Sequence, residues 1–373
     1  MSWDIPLFKI YWDDSDLRGI NEAIKSGRDW AVGSNVISFE KGISKYIGSK
    51  YCLTFNSGTS ALHAVLLAHG IGAGDEVIVP SFSFIATANA PLFVGAKPVF
   101  AEIEEETFGL SPDDVAERIT NKTKAIMPIH YAGCPCKIKE LKDLADDRGI
   151  LLIEDAAESF GASIDGRKVG TFGDSAILSF CQNKIITTGE GGAVVTDSKE
   201  IYERLKLIRS HGRMENGDYF SSTDYMDYVT LGYNFRMPNI LAALGISQLE
   251  KVERIIAMRK ENAKYLSDRL KKIKEISIPI PPPGYDHVYQ MYTIRLKERN
   301  EMIKHLAERS IMTKVYFDPI HNTSFFRLKQ GYQTELSVTQ RVSDTVLTLP
   351  MHPAIMRDEL KQICIGIESF FER

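Results

Sequence analysis

"LLIEDAAES", residues 151–159, runs three apolar residues straight into two acids and a short polar turn. An apolar run without polar alternation reads as a strand buried on both faces, as in a parallel sheet covered by helices. "EVIVP" (76–80), "KPVFAEI" (97–103) and "KAIMPI" (124–129) have the same character. Between them, "SALHAVLLAH" (60–69) and "KIKELKDLADDR" (137–148) carry helical spacing, and "LSF" (178–180) and "GGAVVTD" (191–197) add two more strands. This alternation predicts an α/β domain with a mostly parallel, helix-covered sheet.

Successive side chains on a strand face opposite ways, so only one of Glu154 and Asp155 can enter a pocket at the strand's carboxyl edge, where open α/β sheets collect ligands. A carboxylate there can chelate a metal, act as a base, hold a pyridinium nitrogen protonated, or simply cap the next helix.

Further along, a long helical stretch from about residue 239 to 273 predicts a bend or a crossing between domains. After the connector "IPIPPPGYD" (278–286) comes a smaller β-plus-α unit, with strands expected near 288–296 and 312–317 and helices near 298–309 and 357–371. The division expected is a large domain over 1–250 and a small one over 251–373.

The 373 residues are 44% hydrophobic and 25% charged, with a net charge of −4, and neither sign dominates a long block. That argues against a nucleic-acid or anionic-membrane surface. The start, "MSWDIPLFKIYWDD", has no secretory pattern and no run reaches the length of a membrane span, which predicts a cytoplasmic protein. Five cysteines without zinc spacing predict reduced thiols and no metal site.

Four features carry chemistry. In "NSGTSALHAVLLA" (56–68) a strand ends in Ser-Gly-Thr as a helix begins, so Ser57 or Thr59 caps it and the free N–H groups suit a phosphate. A plain capped helix has the same pattern. Phe82 and Phe84, in "SFSFIATANA" (81–90), are either core or a stacking platform for a planar ring. The third feature is the acid pair at 154–155. The fourth is Lys184, in "SFCQNKIITTGEGG" (179–192), an amine between a β-branched run and a glycine cluster. "GIGAGDE" (70–76) lies after a helix and before a strand, the reverse of a dinucleotide fingerprint, and reads as a turn. Jointly the four meet the needs of pyridoxal phosphate: a phosphate to anchor, a ring to stack, a nitrogen to protonate and an aldehyde to tether as a Schiff base.

The chain resembles the DegT/StrS group of fold-type-I pyridoxal-phosphate enzymes, the sugar-nucleotide aminotransferases. The matching motifs are "NSGTSAL", "GDEVIVPSFSFIATANA", "GAKPVF", "IEDAAESFGA", "LSFCQNKIITTGEGGAVVT", "LGYNFRM" and "KVYFDPIH", nearly end to end. The resemblance implies a fold-type-I large domain and a smaller C-terminal α/β domain. It implies that Lys184 tethers the cofactor, Asp155 pairs with the pyridine nitrogen and Phe84 stacks on the ring. Gly58, Thr59 and Ser179 would hold the phosphate and Glu158 would sit near the ring hydroxyl. Asn234 would reach the same phosphate from the neighbouring subunit, making the homodimer obligatory. His321 and Arg236 are candidate substrate contacts.

The activity implied is amino transfer from L-glutamate, through pyridoxamine phosphate, to a nucleotide-linked keto sugar. Similarity in "NKIITTG" and "KVYFDPIH" points to a 4-keto-6-deoxyhexose. Two positions depart from many members of the group: Cys181 stands where His or Asn is usual, and Glu158 where His or Gln is. Three other outcomes stay open: a sugar-nucleotide dehydratase, an aminotransferase acting at C3, and a non-catalytic regulatory protein that keeps the fold. His63 and His69 read as packing or surface residues, and segment 212–230 is expected to shape the sugar pocket.

Overall fold

The computed structural model describes residues 3–214, 223 and 225–372. The chain opens with helices α1 (Asp14–Lys25) and α2 (Ser34–Ile47), then alternates β1 (Tyr51–Phe55), α3 (Gly58–Ala68), β2 (Glu76–Pro80), α4 (Ile85–Phe93), β3 (Lys97–Ala101), α5 (Pro112–Arg118), β4 (Thr123–Ile126), α6 (Ile138–Arg148) and β5 (Leu151–Asp155). A short hairpin, β6 (Ser163–Ile164) and β7 (Arg167–Lys168), precedes β8 (Ser175–Ser179), β9 (Gly192–Thr196) and α7 (Lys199–Arg209). Then come α8 (Asn239–Glu250), α9 (Val252–Leu270), β10 (Tyr285–Asp286), β11 (Tyr292–Arg295), α10 (Arg299–Ala307), α11 (Ser337–Thr345), β12 (Val346–Leu349) and α12 (Arg357–Phe371).

Among the described residues the main sheet has seven strands in the order β1-β9-β8-β5-β4-β2-β3. Its pairings are parallel except that β9 runs antiparallel to both neighbours, β1 and β8. Six strands therefore point the same way and their carboxyl ends share one edge. The apolar runs are buried because both faces are covered: Val77, Val79, Ile153 and Val194 pack with α3 and α4 on one side. Leu178, Ala193 and Val195 pack with α2 and the start of α9 on the other.

The long helical stretch breaks at Lys251, whose ammonium lies 2.8 Å from Asp13 and 2.6 Å from Asp16. Beyond the break α9 joins two cores: Val252, Ile255 and Ile256 belong to the sheet's, while Ala263, Leu266 and Leu270 belong to that of the C-terminal unit. In that unit β11 pairs with β12, which begins and ends in Val346 and Leu349. Residues 312–317, expected as a strand, make a single bridge, Lys314 to Thr348. They leave the sheet because the chain turns toward the larger unit, where the Tyr316 carbonyl accepts the Tyr131 hydroxyl. No helix among the described residues is long and apolar enough to cross a membrane.

Candidate active site

The carboxyl edge of the sheet gathers the chemistry. Asp155, the last residue of β5, is 3% exposed. Its Oδ2 accepts the Thr87 hydroxyl at 2.8 Å and its Oδ1 the Ala157 N–H at 3.2 Å. Among the described residues no basic side chain lies within ion-pair distance of it, and burial pushes its pKa up against the pull of those donors and of Lys184. A buried acid of this kind calls for a cation.

Glu154 turns to the opposite face, as strand alternation requires. It is fully buried and accepts His130 Nε2 at 3.0 Å and the N–H groups of Gly170, Phe172 and Gly173 at 2.7 Å each. The Cys136 N–H donates to His130 Nδ1 at 3.1 Å, so the imidazole carries its proton on Nε2, toward the carboxylate. Burial alone would raise the Glu154 pKa, but His130 and the amides hold it below the usual range. Glu154 is fully paired within the protein, and Asp155 is the candidate for a ligand.

Lys184 sits in the turn after β8, its N–H donating to the Cys181 carbonyl at 3.0 Å. Its Nζ lies 3.7 Å from Glu158 Oε1, with both side chains largely buried. Glu158 Oε2 accepts the Ala132 N–H at 3.0 Å, and burial raises its pKa against the attraction of Lys184.

Ser57 caps α3, its hydroxyl accepting the Ser60 N–H at 3.0 Å. Gly58 and Thr59 are the first residues of that helix, where N–H groups have no partner in the preceding turn. A Cβ on Gly58 would lie 3.2 Å from Ser179 Oγ, and one on Gly192 only 2.5 Å from the Ser57 carbonyl oxygen. Glycine at both places lets β8, β9 and the helix start close around a small concave seat.

Phe84 precedes α4 and is 57% exposed, whereas Phe82 is fully buried against Phe108, Tyr131 and Phe317. Asn234 is exposed, and its carbonyl accepts Asn56 Nδ2 at 3.4 Å, beside the helix start. Arg236 forms a backbone bridge with Phe55 at the end of β1. His321 is buried; its backbone N–H donates to Ser81 Oγ at 3.1 Å and its Nδ1 lies in hydrogen-bond contact with the same hydroxyl at 2.6 Å. It ties the C-terminal unit to the loop after β2. Part of segment 212–230 lies outside the described residues.

Sequence reading missed Thr87, although it stands in the quoted stretch three residues after Phe84, on the same helical turn. It also missed Gly192, whose signal was its place directly after "TTGEG". The set fits pyridoxal phosphate. Asp155 is an acid lacking a cation among the described residues, the Gly58–Ser179 seat is lined by N–H and hydroxyl donors, and the Lys184 amine faces Glu158 while attracting the charge of Asp155.

A family model described as the DegT/DnrJ/EryC1/StrS aminotransferase family matches residues 11–368. The GDP-perosamine synthase of Escherichia coli O157:H7 is 36% identical, over 98% of this chain and 98% of its own. A crystal structure of DesV from S. venezuelae, in complex with a ketimine intermediate, is 30% identical and covers 100% of both chains, with a TM-score of 0.91. PseC of Helicobacter pylori, an aminotransferase involved in the biosynthesis of pseudoaminic acid, is 27% identical over 99% of both, with a TM-score of 0.92.

Proposed function

We propose a reaction from a settled premise: this chain belongs to the DegT/DnrJ/EryC1/StrS aminotransferase family, has the fold-type-I architecture, and depends on pyridoxal 5'-phosphate. The proposed reaction moves an amino group from L-glutamate to a nucleotide-linked keto sugar, a 4-keto-6-deoxyhexose, for amino-sugar and polysaccharide synthesis in the cytoplasm. The relatives named GDP-perosamine synthase make a guanosine-diphosphate sugar the first acceptor to test. One observation carries the reading: Asp155, buried and without a cationic partner among the described residues, shares a strand edge with Lys184 and the Ser57-capped helix start.

When bound, the cofactor supplies an aldehyde that takes up amino groups and a ring that withdraws the electron pair left by a departing proton. The chain's residues do the rest. Gly58, Thr59 and Ser179 would hold the phosphate and Phe84 would cover the ring. Glu158 would face the ring hydroxyl while steering Lys184. Asp155, ionised beside the ring nitrogen, would keep that nitrogen protonated. Lys184 would hold the cofactor covalently. Once displaced, its amine would take the proton from the donor carbon and return it across the intervening nitrogen, a 1,3 transfer, then do the converse for the sugar.

Exposed Trp12, Trp30, Ile37 and Phe84 support a homodimer in which Asn234 completes the partner's phosphate seat. Arg236 and the Nε2 of His321 are proposed to meet the sugar nucleotide, and the two-domain division at residue 250 is part of the same reading. The test is holoenzyme with L-glutamate and a panel of 4-keto and 3-keto sugar nucleotides. An amino sugar from the 4-keto acceptors is expected; holoenzyme that yields none from any acceptor overturns the reading.

A further inference from the structure

The segment 288–291 crosses from the connector into the C-terminal unit and touches the site from behind. The Val288 N–H donates to the Gly133 carbonyl at 3.0 Å and the Met291 N–H to the Ala132 carbonyl at 3.1 Å. The same turn offers the Ala132 N–H to Glu158. Between them Gln290, 5% exposed, donates Nε2 to the carbonyl of Asn183 at 2.5 Å, the residue before Lys184. Only the NH2 end of the amide can face a carbonyl, so its orientation is fixed. Its Oε1 is buried without a partner among the described residues. An unsatisfied acceptor is a destabilising cost, so stability alone does not account for the arrangement.

The backbone here is constrained too. Tyr289 has φ +50°, a left-handed conformation uncommon for a bulky residue. It is held from two sides. Its N–H donates to His287 Nδ1 at 2.9 Å, and its ring stacks on His287 with centroids 4.0 Å apart. On the other side Arg259, 3% exposed, directs Nη1 to the carbonyls of Tyr289, Gln290 and Met351 at 3.1, 3.3 and 3.1 Å. Among the described residues no carboxylate pairs with this guanidinium, so its hydrogen bonds go to holding backbone. Strain kept in place by this many partners points to a geometric purpose.

We propose that Gln290, braced by Arg259, is a positioning residue that sets where the Lys184 amine stands relative to Glu158. The inference rests on the reading of Lys184 as the cofactor's lysine. One short segment then fixes both the loop bearing the amine and the turn holding its acid.

The experiment compares holoenzyme of the wild type, Gln290→Met, which keeps bulk and loses the donor, and Gln290→His, which restores an N–H. For Gln290→Met the pH midpoint of the bound cofactor's visible absorbance should move by about half a unit or more. Its kcat should fall about tenfold, about 1.4 kcal/mol, with KM for the keto sugar unchanged. Gln290→His should recover both. Should Gln290→Met fail to fold, Gln290→Asn, one carbon short of reach, should move the midpoint in the same direction. A wild-type midpoint and kcat in these variants, or a loss that His does not rescue, overturns the brace. Borohydride reduction and peptide mapping separate the premise: cofactor mass on a lysine other than 184 overturns the reading of Lys184 itself.

Discussion

Adjacent acids in one strand have opposite fates, and each fate has a pH signature. Asp155 has its pKa raised by burial, so the fold binds its proton more tightly than the unfolded chain does. Its cost to the apoprotein therefore grows as pH rises from the ordinary Asp value, near ~3.9, through the raised one, and is fully present above. Asp155→Asn should leave the apoprotein's Tm at pH 7 equal or higher, yet weaken retention of the cofactor; thermal melts of apo and holo forms check both. Glu154 is the reverse. With its pKa held low, it contributes stability above the ordinary Glu value, and that is lost as pH falls through the folded value. Glu154→Gln should be less stable by about 2–3 kcal/mol at pH 7, because an NH2 would face buried donors. Denaturant melts should show the gap to wild type narrowing below pH ~4. A constant gap would count against this account.

Among the elements, the start of α3 and strand β9 close together around the seat proposed for the cofactor's phosphate. Gly192→Ala would put a methyl 2.5 Å from the Ser57 carbonyl oxygen and 2.7 Å from the Gly58 nitrogen. The helix start would have to shift, and affinity for the cofactor should fall at least about tenfold in a reconstitution titration. Much at this scale was legible. The apolar runs gave the strands, Ser57 took one of the two cap positions offered, and the length of 239–273 foretold a break. The place of the break was not legible, because the Lys251 pairs with Asp13 and Asp16 join distant parts of the sequence. Nor was the reversed direction of β9, since a short Val-rich run has the same composition either way. "VLTL" (346–349) passed unnoticed beside the more apolar runs, yet it is the strand that pairs with β11.

For the molecule as a whole, the order of the four chemical features along the chain pointed to the candidate site, since each lies at a strand's carboxyl end. The contacts behind it were hidden. Gln290 reaches Lys184's loop, and Arg259 braces Gln290, from far along the sequence, and no local pattern marks them. The proposed dimer has its own test. Lys184→Ala and Asn234→Ala should each be inactive alone. Mixed and reassembled, they should recover about a quarter of wild-type turnover, because half the dimers then hold one pocket free of both lesions. No recovery would mean that each chain's Asn234 serves its own pocket. The C-terminal unit's core also contains Ile5, which exchanges backbone hydrogen bonds with Ser310 at 3.1 Å and Met312 at 2.9 Å. During synthesis that early isoleucine leaves the ribosome long before its neighbours exist. A nascent chain stalled short of residue 310 would carry a nearly complete sheet with a loose leading segment, and a protease should cut there first.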